Sequence, residues 1–131
     1  MTILRYTASA DNTITNAYTE GLKLRGTGSN MGASDILEVF SIYGQQSETS
    51  SELSRILIQF PVDKIKTDRD NGKIPASGRV DFYLKMYNAR HMETVPRNFN
   101  LAILPISASW QEGYGLDMEQ YSDLTNDNSG S

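Results

Sequence analysis

The residues that could perform chemistry in this chain are few, and they stand in no catalytic pattern. The sequence has one histidine, His91, and no cysteine, which excludes thiolate chemistry and leaves too few ligands for the usual zinc or non-haem iron site. Glu93 or Glu112 could pair with another carboxylate as in a glycosidase, but no sequence feature places two carboxylates together. We therefore predict a protein that is not an enzyme and that holds no metal or other cofactor.

Oxygen ligands for calcium are most abundant in residues 116–131, a segment that is acidic at first and then rich in Asn, Ser and Gly. Its acidic residues are irregularly spaced, so the segment lacks the pattern of a calcium-binding loop. The composition instead predicts a polar tail that is flexible or becomes ordered on a partner. The acids in question are Asp117, Glu119, Asp123 and Asp127.

Aromatic and basic side chains are the best candidates for binding a ligand. An exposed aromatic face can receive a sugar ring, and Arg55 together with Lys85 would add a basic face for an acidic polysaccharide. The alternatives are that the basic residues form ordinary cross-strand charge pairs and that Trp110 covers one end of the fold, with Glu112 and Gly113 shaping the turn. The candidate ligand-binding residues are Tyr83, Lys85, Tyr87, Trp110 and Tyr114.

Length and charge limit the range of functions. With 131 residues the chain is long enough for one domain with one core. The net charge of −4 and the pI near 4.9 argue against a nucleic-acid partner. The sequence has neither the apolar run of a signal peptide nor one that could span a bilayer, so we expect no membrane partner. Either the chain is made in the cytosol, which the initial Met favours, or an export signal has been removed.

The elements that must position these residues are organised around one strand, residues 54–60, followed by Pro61. Ile56, Ile58 and Phe60 alternate with polar or outward residues, which predicts a central strand. Pro61 cannot donate to a ladder, so the strand should end there, and residues 62–65 should form a single helical turn.

Further strands are predicted on both sides of this one. Residues 35–43 are apolar on both faces, which makes Leu37, Val39 and Tyr43 candidates for a subunit interface. The alternative is that loops or the first strand cover them. The N-terminal part is predicted to contain an opening strand at residues 3–7, a turn at 9–12 and a short β-branched segment at 13–16. After the central strand we predict a charged turn at residues 67–73 and two late strands at 79–89 and 99–106. This pattern favours an all-β fold, an antiparallel β-sandwich.

The order of these segments resembles the DNRLRE-type β-sandwich domain, which is also classed among carbohydrate-binding modules. The resemblance covers residues from about 7 to 115 and depends on five short motifs. They are Ala8-Ser9-Ala10-Asp11-Asn12-Thr13-Ile14, Met31-Gly32-Ala33-Ser34 with the strand after it, Arg55 to Ile65, Val80 to Tyr87, and Leu104 to Gly113 with its Ser109-Trp110-Gln111-Glu112-Gly113.

The resemblance implies a jelly-roll-like sandwich over residues 1–115, with residues 116–131 as a tail. Such domains continue through further strands after the Trp-x-Glu element, so we expect either a truncated sequence or a sheet that a partner chain completes. They also resemble structural proteins of tailed, particularly marine, bacteriophages. The implied function is a virion structural protein, as a capsid decoration, tail or fibre component made in the host cytoplasm, with homo-oligomers or other virion proteins as partners. The alternative is an extracellular carbohydrate-binding module of a secreted polysaccharide-active protein, with a polysaccharide as ligand.

Overall fold

The computed structural model describes residues 3–18, 25–26, 30–43, 51–75, 78–90 and 97–116. Three strands, β1 (Ala10–Thr15), β2 (Ser41–Tyr43) and β3 (Ser51–Gln59), form an antiparallel sheet in the order β1-β3-β2. One short helix, α1 (Val62–Asp70), follows β3. The secondary structure is thus mainly strand, which agrees with the predicted all-β class.

The predicted central strand is confirmed. β3 lies between the other two strands and pairs with β1 from Ala10↔Gln59 to Thr15↔Ser54. β2 pairs only with the first three residues of β3, 51–53. The strand begins at Ser51, before the predicted start at Ser54, and ends at Gln59. Pro61 follows at the boundary with the helix, where its missing N–H costs no ladder bond.

The helix is longer than the predicted single turn, and the charged turn predicted at residues 67–73 is wrong in its first part. α1 continues to Asp70, and the turn begins only at Asn71. Asp63 in the first turn and Arg69 in the last turn suit the helix dipole. The Lys66 ammonium lies 2.6 Å from the Asp70 carboxylate one turn away. These local charge interactions favour continuation of the helix beyond the single predicted turn.

The N-terminal predictions are wrong in their boundaries. Residues 3–8 form no strand, and the turn predicted at residues 9–12 is largely strand, because β1 begins at Ala10. Asp11 and Asn12 are turn formers by local preference. Here they are held in the strand by hydrogen bonds to Glu112, a residue about 100 positions away. Long-range partners therefore override the local preference.

The strand predicted at residues 35–43 is confirmed only over β2, Ser41–Tyr43. Before β2, residues 38–40 are held to β3 largely by the side chain of Ser54. Its hydroxyl accepts a hydrogen bond from the Phe40 N–H at 2.7 Å and donates one to the Glu38 carbonyl at 2.8 Å. The Glu38 N–H donates in turn to the Thr13 hydroxyl at 3.0 Å. Side chains of the sheet thus hold this segment over one face of the sheet.

The two late strands predicted at residues 79–89 and 99–106 are also wrong. We call residues 79–90 and 99–107 the two alternating segments, and in the structure neither belongs to a strand. Nearly every residue in them is exposed. Alternation predicts a strand only where a neighbouring strand supplies a ladder, and within the described chain no such neighbour is present.

The buried side chains of the described residues are mostly polar. Met31 and Ile74 are the apolar ones, each 6% exposed, whereas the fully buried large side chains are Glu52 and Thr13. Asn12 and Ser54 are buried as well. The sheet is therefore held together by specific hydrogen bonds as much as by apolar area.

Candidate functional site

Three side chains join the start of the sheet to the end of the described chain, and we call this group the clasp: Asn12, Asn30 and Glu112. The Glu112 carboxylate accepts a hydrogen bond from the Asp11 N–H at 2.8 Å. The Glu112 carbonyl accepts from the side-chain amides of Asn12 at 2.6 Å and Asn30 at 2.8 Å. β1 and the segment around Glu112 are thus fixed to each other.

The other ends of the two amides complete the clasp. The side-chain amide oxygen of Asn12 accepts a hydrogen bond from the Met31 N–H at 3.1 Å. The side-chain amide oxygen of Asn30 accepts hydrogen bonds from the N–H groups of Gly32 at 2.9 Å and Gly115 at 3.0 Å. Each amide therefore uses its donor and its acceptor, which is the condition for a buried polar network to stabilise a fold.

Glycines allow the close approach of the backbones in the clasp. A Cβ atom on Gly32 would collide with backbone atoms of Glu112 and would lie 2.7 Å from the Gly113 carbonyl oxygen. Gly113 has a φ of +74°, and a Cβ atom there would collide with the Asn30 side chain. The Met31-Gly32 and Glu112-Gly113 motifs of the sequence are therefore brought together, and the role they support is structural.

Sequence reasoning placed Glu112 and Gly113 in a turn but did not identify Asn12 and Asn30 as their partners. Trp110, between this turn and the second alternating segment, is half-buried, whereas Tyr114 is 68% exposed. The only available signal was the presence of Asn next to strand-forming or Gly residues, which also occurs in ordinary turns. A pairing over 100 positions has no local signature.

A second polar group that sequence reasoning missed is the carboxylate of Glu52. This residue is 2% exposed, and one of its oxygens accepts a hydrogen bond from the Tyr18 N–H at 3.2 Å. The other oxygen has no hydrogen-bond partner among the described residues. Nearby, the Arg25 guanidinium lies 4.3 Å from the centre of the Tyr18 ring and donates to the Asn16 carbonyl at 2.6 Å. The predicted central strand begins only at Ser54, so nothing in the sequence pattern predicted the burial of Glu52.

A third polar group attaches the N-terminal segment to α1. The Tyr6 hydroxyl donates to Asp68 at 2.8 Å, and the Lys73 ammonium lies 2.9 Å from the other oxygen of that carboxylate. The hydrogen bond from Lys73, followed by that from Tyr6, holds the pKa of Asp68 below its ordinary value of 3.8. Partial burial and then the bond to Asp68 raise the pKa of Tyr6 above its ordinary value of 10.0.

The attachment at Asp68 should give the protein an acid-sensitive component of stability. Because the pKa of Asp68 is lowered in the folded state, its contribution is present above pH 3.8 and is lost as the pH falls through the folded pKa. We expect Asp68→Asn to lower the urea midpoint at neutral pH and to flatten its decline on acidification. Asp70→Asn is the matched control, since its pair with Lys66 is solvent-exposed and should matter little. Equal acid profiles for the wild type and Asp68→Asn would contradict this prediction.

The predicted ligand-binding residues come from two parts of the chain. Tyr83 and Tyr87 are 86% and 81% exposed, and the Lys85 ammonium lies 5.1 Å from the centre of the Tyr87 ring. Trp110 and Tyr114 belong instead to the segment that carries the clasp residue Glu112. The exposed group at residues 83–87 therefore has the composition of a binding surface.

The predicted interface residues are only partly described. Leu37 is half-buried, Val39 is 51% exposed, and Tyr43 has its backbone in β2 while its side chain is outside the description. His91, Glu93 and the four tail acids lie outside the described residues. Exposure of Val39 leaves that position accessible to a partner.

In the described ranges, no three His, Asp or Glu side chains are grouped so that they could hold a metal ion. No helix in those ranges is long and apolar enough to cross a membrane. Comparisons with protein-family models, with curated proteins and with solved structures return no match to this chain. The resemblance to the DNRLRE-type domain therefore stays a prediction that depends on the sequence motifs.

Proposed function

We propose that the protein is a non-enzymatic structural subunit of a bacteriophage particle, acting through contacts with neighbouring protein subunits. The observation that carries the proposal is the exposure of large apolar side chains along the two alternating segments. Burying one such side chain contributes about 1.5–3 kcal/mol, so exposed rows of them favour association. The assignment to a virion depends on the resemblance of the motifs to phage structural proteins.

The exposed side chains form two rows. In the first segment, Phe82, Leu84 and Met86 lie two positions apart and are 70%, 41% and 49% exposed. In the second, Phe99, Leu101 and Ile103 lie two positions apart and are 60%, 48% and 75% exposed. Rows with a period of two are suited to burial under a second sheet, which supports the sandwich, jelly-roll-like in outline, that a partner chain completes.

The backbone of these segments supports the same proposal. No backbone hydrogen bond joins residues 79–90 or 99–107 to another part of the described chain. Their N–H and C=O groups are available to water or to an added strand, and edges of this kind are a common site of strand addition. Association through strands would satisfy the backbone and bury the apolar rows in one step.

The experiment is to determine the mass of the purified chain by light scattering after size exclusion, over a wide range of concentrations. We expect a closed oligomer or steady growth with concentration, with a dissociation constant of about 1 μM or tighter. Phe82→Ser and Ile103→Ser should each weaken the association and leave the isolated fold intact, since the two side chains are 70% and 75% exposed. A monomer at every concentration would contradict the proposal.

A second candidate function is favoured by one observation. The exposed rings of Tyr83 and Tyr87, with the Lys85 ammonium beside the latter, suit an acidic polysaccharide. A carbohydrate-binding module would remain monomeric and be retained on an acidic polysaccharide matrix, and Tyr87→Ala would reduce that retention. A structural subunit would associate and pass through the matrix unretarded.

A further inference from the structure

We propose that one edge of β3, at residues 55–59, receives residues 99–104 of a second copy of this chain as an added antiparallel strand. This inference rests on the proposed function, because it specifies which surfaces join the subunits. It combines an open edge on the central strand with an unpaired, strand-forming segment of the same chain. Each copy would offer one edge and one added strand.

The direction of the backbone groups in β3 identifies the open edge. The Ser9 N–H donates to the Gln59 carbonyl at 2.8 Å, and the Asn16 N–H donates to the Leu53 carbonyl at 3.2 Å. The backbone N–H and C=O groups of the odd-numbered residues of β3 therefore point toward β1. Backbone groups alternate in direction along a strand, so even-numbered residues point the other way. The Ser54 N–H follows this rule and donates to the Phe40 carbonyl at 3.1 Å.

Beyond Ser54 the edge has no partner in the described chain. β2 pairs only with residues 51–53, and the segment before it leaves the edge to cross the sheet face above Thr13. The N–H and C=O groups of Ile56 and Ile58 therefore point outward without a protein partner among the described residues. An added strand would give these four groups the hydrogen bonds that a central strand ordinarily makes on both sides.

Residues 99–104 fit this edge in length and in charge. Pro105 has no N–H and limits the strand to six residues, enough to cover an edge of five. No charged residue lies between Arg97 and Glu112. A neutral strand can approach a second molecule of net charge −4 without like-charge repulsion. The other alternating segment, residues 79–90, fits less well, because Arg79, Asp81 and Lys85 would lose their hydration at this edge.

The side chains of the added strand also suit burial. Phe99 and Leu101 are 60% and 48% exposed on one side, and Leu104 is 77% exposed on the other. Apolar residues on both faces are typical of a strand with neighbours on each side rather than of a free edge. A second copy supplies that environment.

The test is residue-resolved hydrogen exchange at concentrations below and above the onset of association. We expect the amides of Ile56 and Ile58 to become protected by about 100-fold in the associated state only, together with alternate amides of residues 99–104. Val62 serves as an internal reference, because its N–H already bonds to the Phe60 carbonyl at 2.8 Å.

Two charge substitutions complete the test. Ile103→Lys should raise the dissociation constant at least about tenfold, because it introduces a charge into the added strand. Ile106→Lys, the same change on an exposed residue beyond Pro105, should have a much smaller effect. Association without protection of Ile56 and Ile58, or equal effects of the two substitutions, would overturn this inference and leave the structural-subunit proposal standing. Absence of any association would overturn both.

Discussion

Replacing Gly32 by alanine should destabilise the protein by about 3 kcal/mol, at the upper end of the range for overpacking a close contact. The added Cβ atom would collide with the backbone of Glu112, and backbone atoms cannot move aside as the end of a side chain can. Relief requires Glu112 to withdraw, which would lengthen the hydrogen bonds from Asn12 and Asn30. Urea unfolding followed by circular dichroism measures the loss.

Two other glycines provide controls for this experiment. Gly113 and Gly72 share a φ of +74°, but a Cβ atom on Gly113 would meet Asn30, whereas no atom of the described residues lies within 4 Å of one on Gly72. Both alanine variants carry the strain of a positive φ, about 1–2 kcal/mol. Gly113→Ala should cost more than Gly72→Ala, and the excess measures the crowding in the clasp. Equal costs for Gly113→Ala and Gly72→Ala, or a neutral Gly32→Ala, would show that the clasp is not rigid.

Asn12→Asp should destabilise the protein by about 4 kcal/mol at neutral pH. The change removes the N–H group that lies 2.6 Å from the Glu112 carbonyl and places a buried negative charge there. Asn12 is 3% exposed, so water cannot screen the charge. Below the pKa of the introduced carboxyl the loss should shrink, because a protonated carboxyl can again donate a hydrogen bond to that carbonyl.

Asn16→Asp is the matched control, just beyond the end of β1. Asn16 is half-buried and accepts a hydrogen bond from the Leu53 N–H at 2.7 Å through an oxygen that aspartate retains. Among the described residues, its own amide donates only a long bond, of 3.5 Å, to the Ser51 carbonyl. We expect a loss below about 1.5 kcal/mol. If the two substitutions cost the same over the whole pH range, Asn12 would not be the centre of the clasp.

The sequence predicted β3 well because its signals are local. Alternation of Ile56 and Ile58 and the stop at Pro61 need no distant partner to be interpreted. The helix was underestimated because its second half, where Lys66 and Asp70 form an exposed pair, has no hydrophobic periodicity to indicate it.

The clasp could not be predicted from the same sequence. Asn12, Asn30 and Glu112 are ordinary turn residues until the fold brings them together. The two alternating segments illustrate the opposite error, since residues 79–89 and 99–106 have the pattern of a strand but lack a ladder in the described chain. A pattern of side chains specifies which face is buried, whereas a strand also requires a neighbour for its backbone.

The clasp also determines when the sheet can acquire its last contacts during folding. It bridges sequence separations of 100 and 101 residues, from Asn12 and Asp11 to Glu112. Contacts so distant in sequence are slow to form, because the long intervening loop must close first. During synthesis the outer side of β1 stays open until the ribosome has made Gly115. Until then the nascent chain has an uncovered strand that chaperones or other nascent chains can reach.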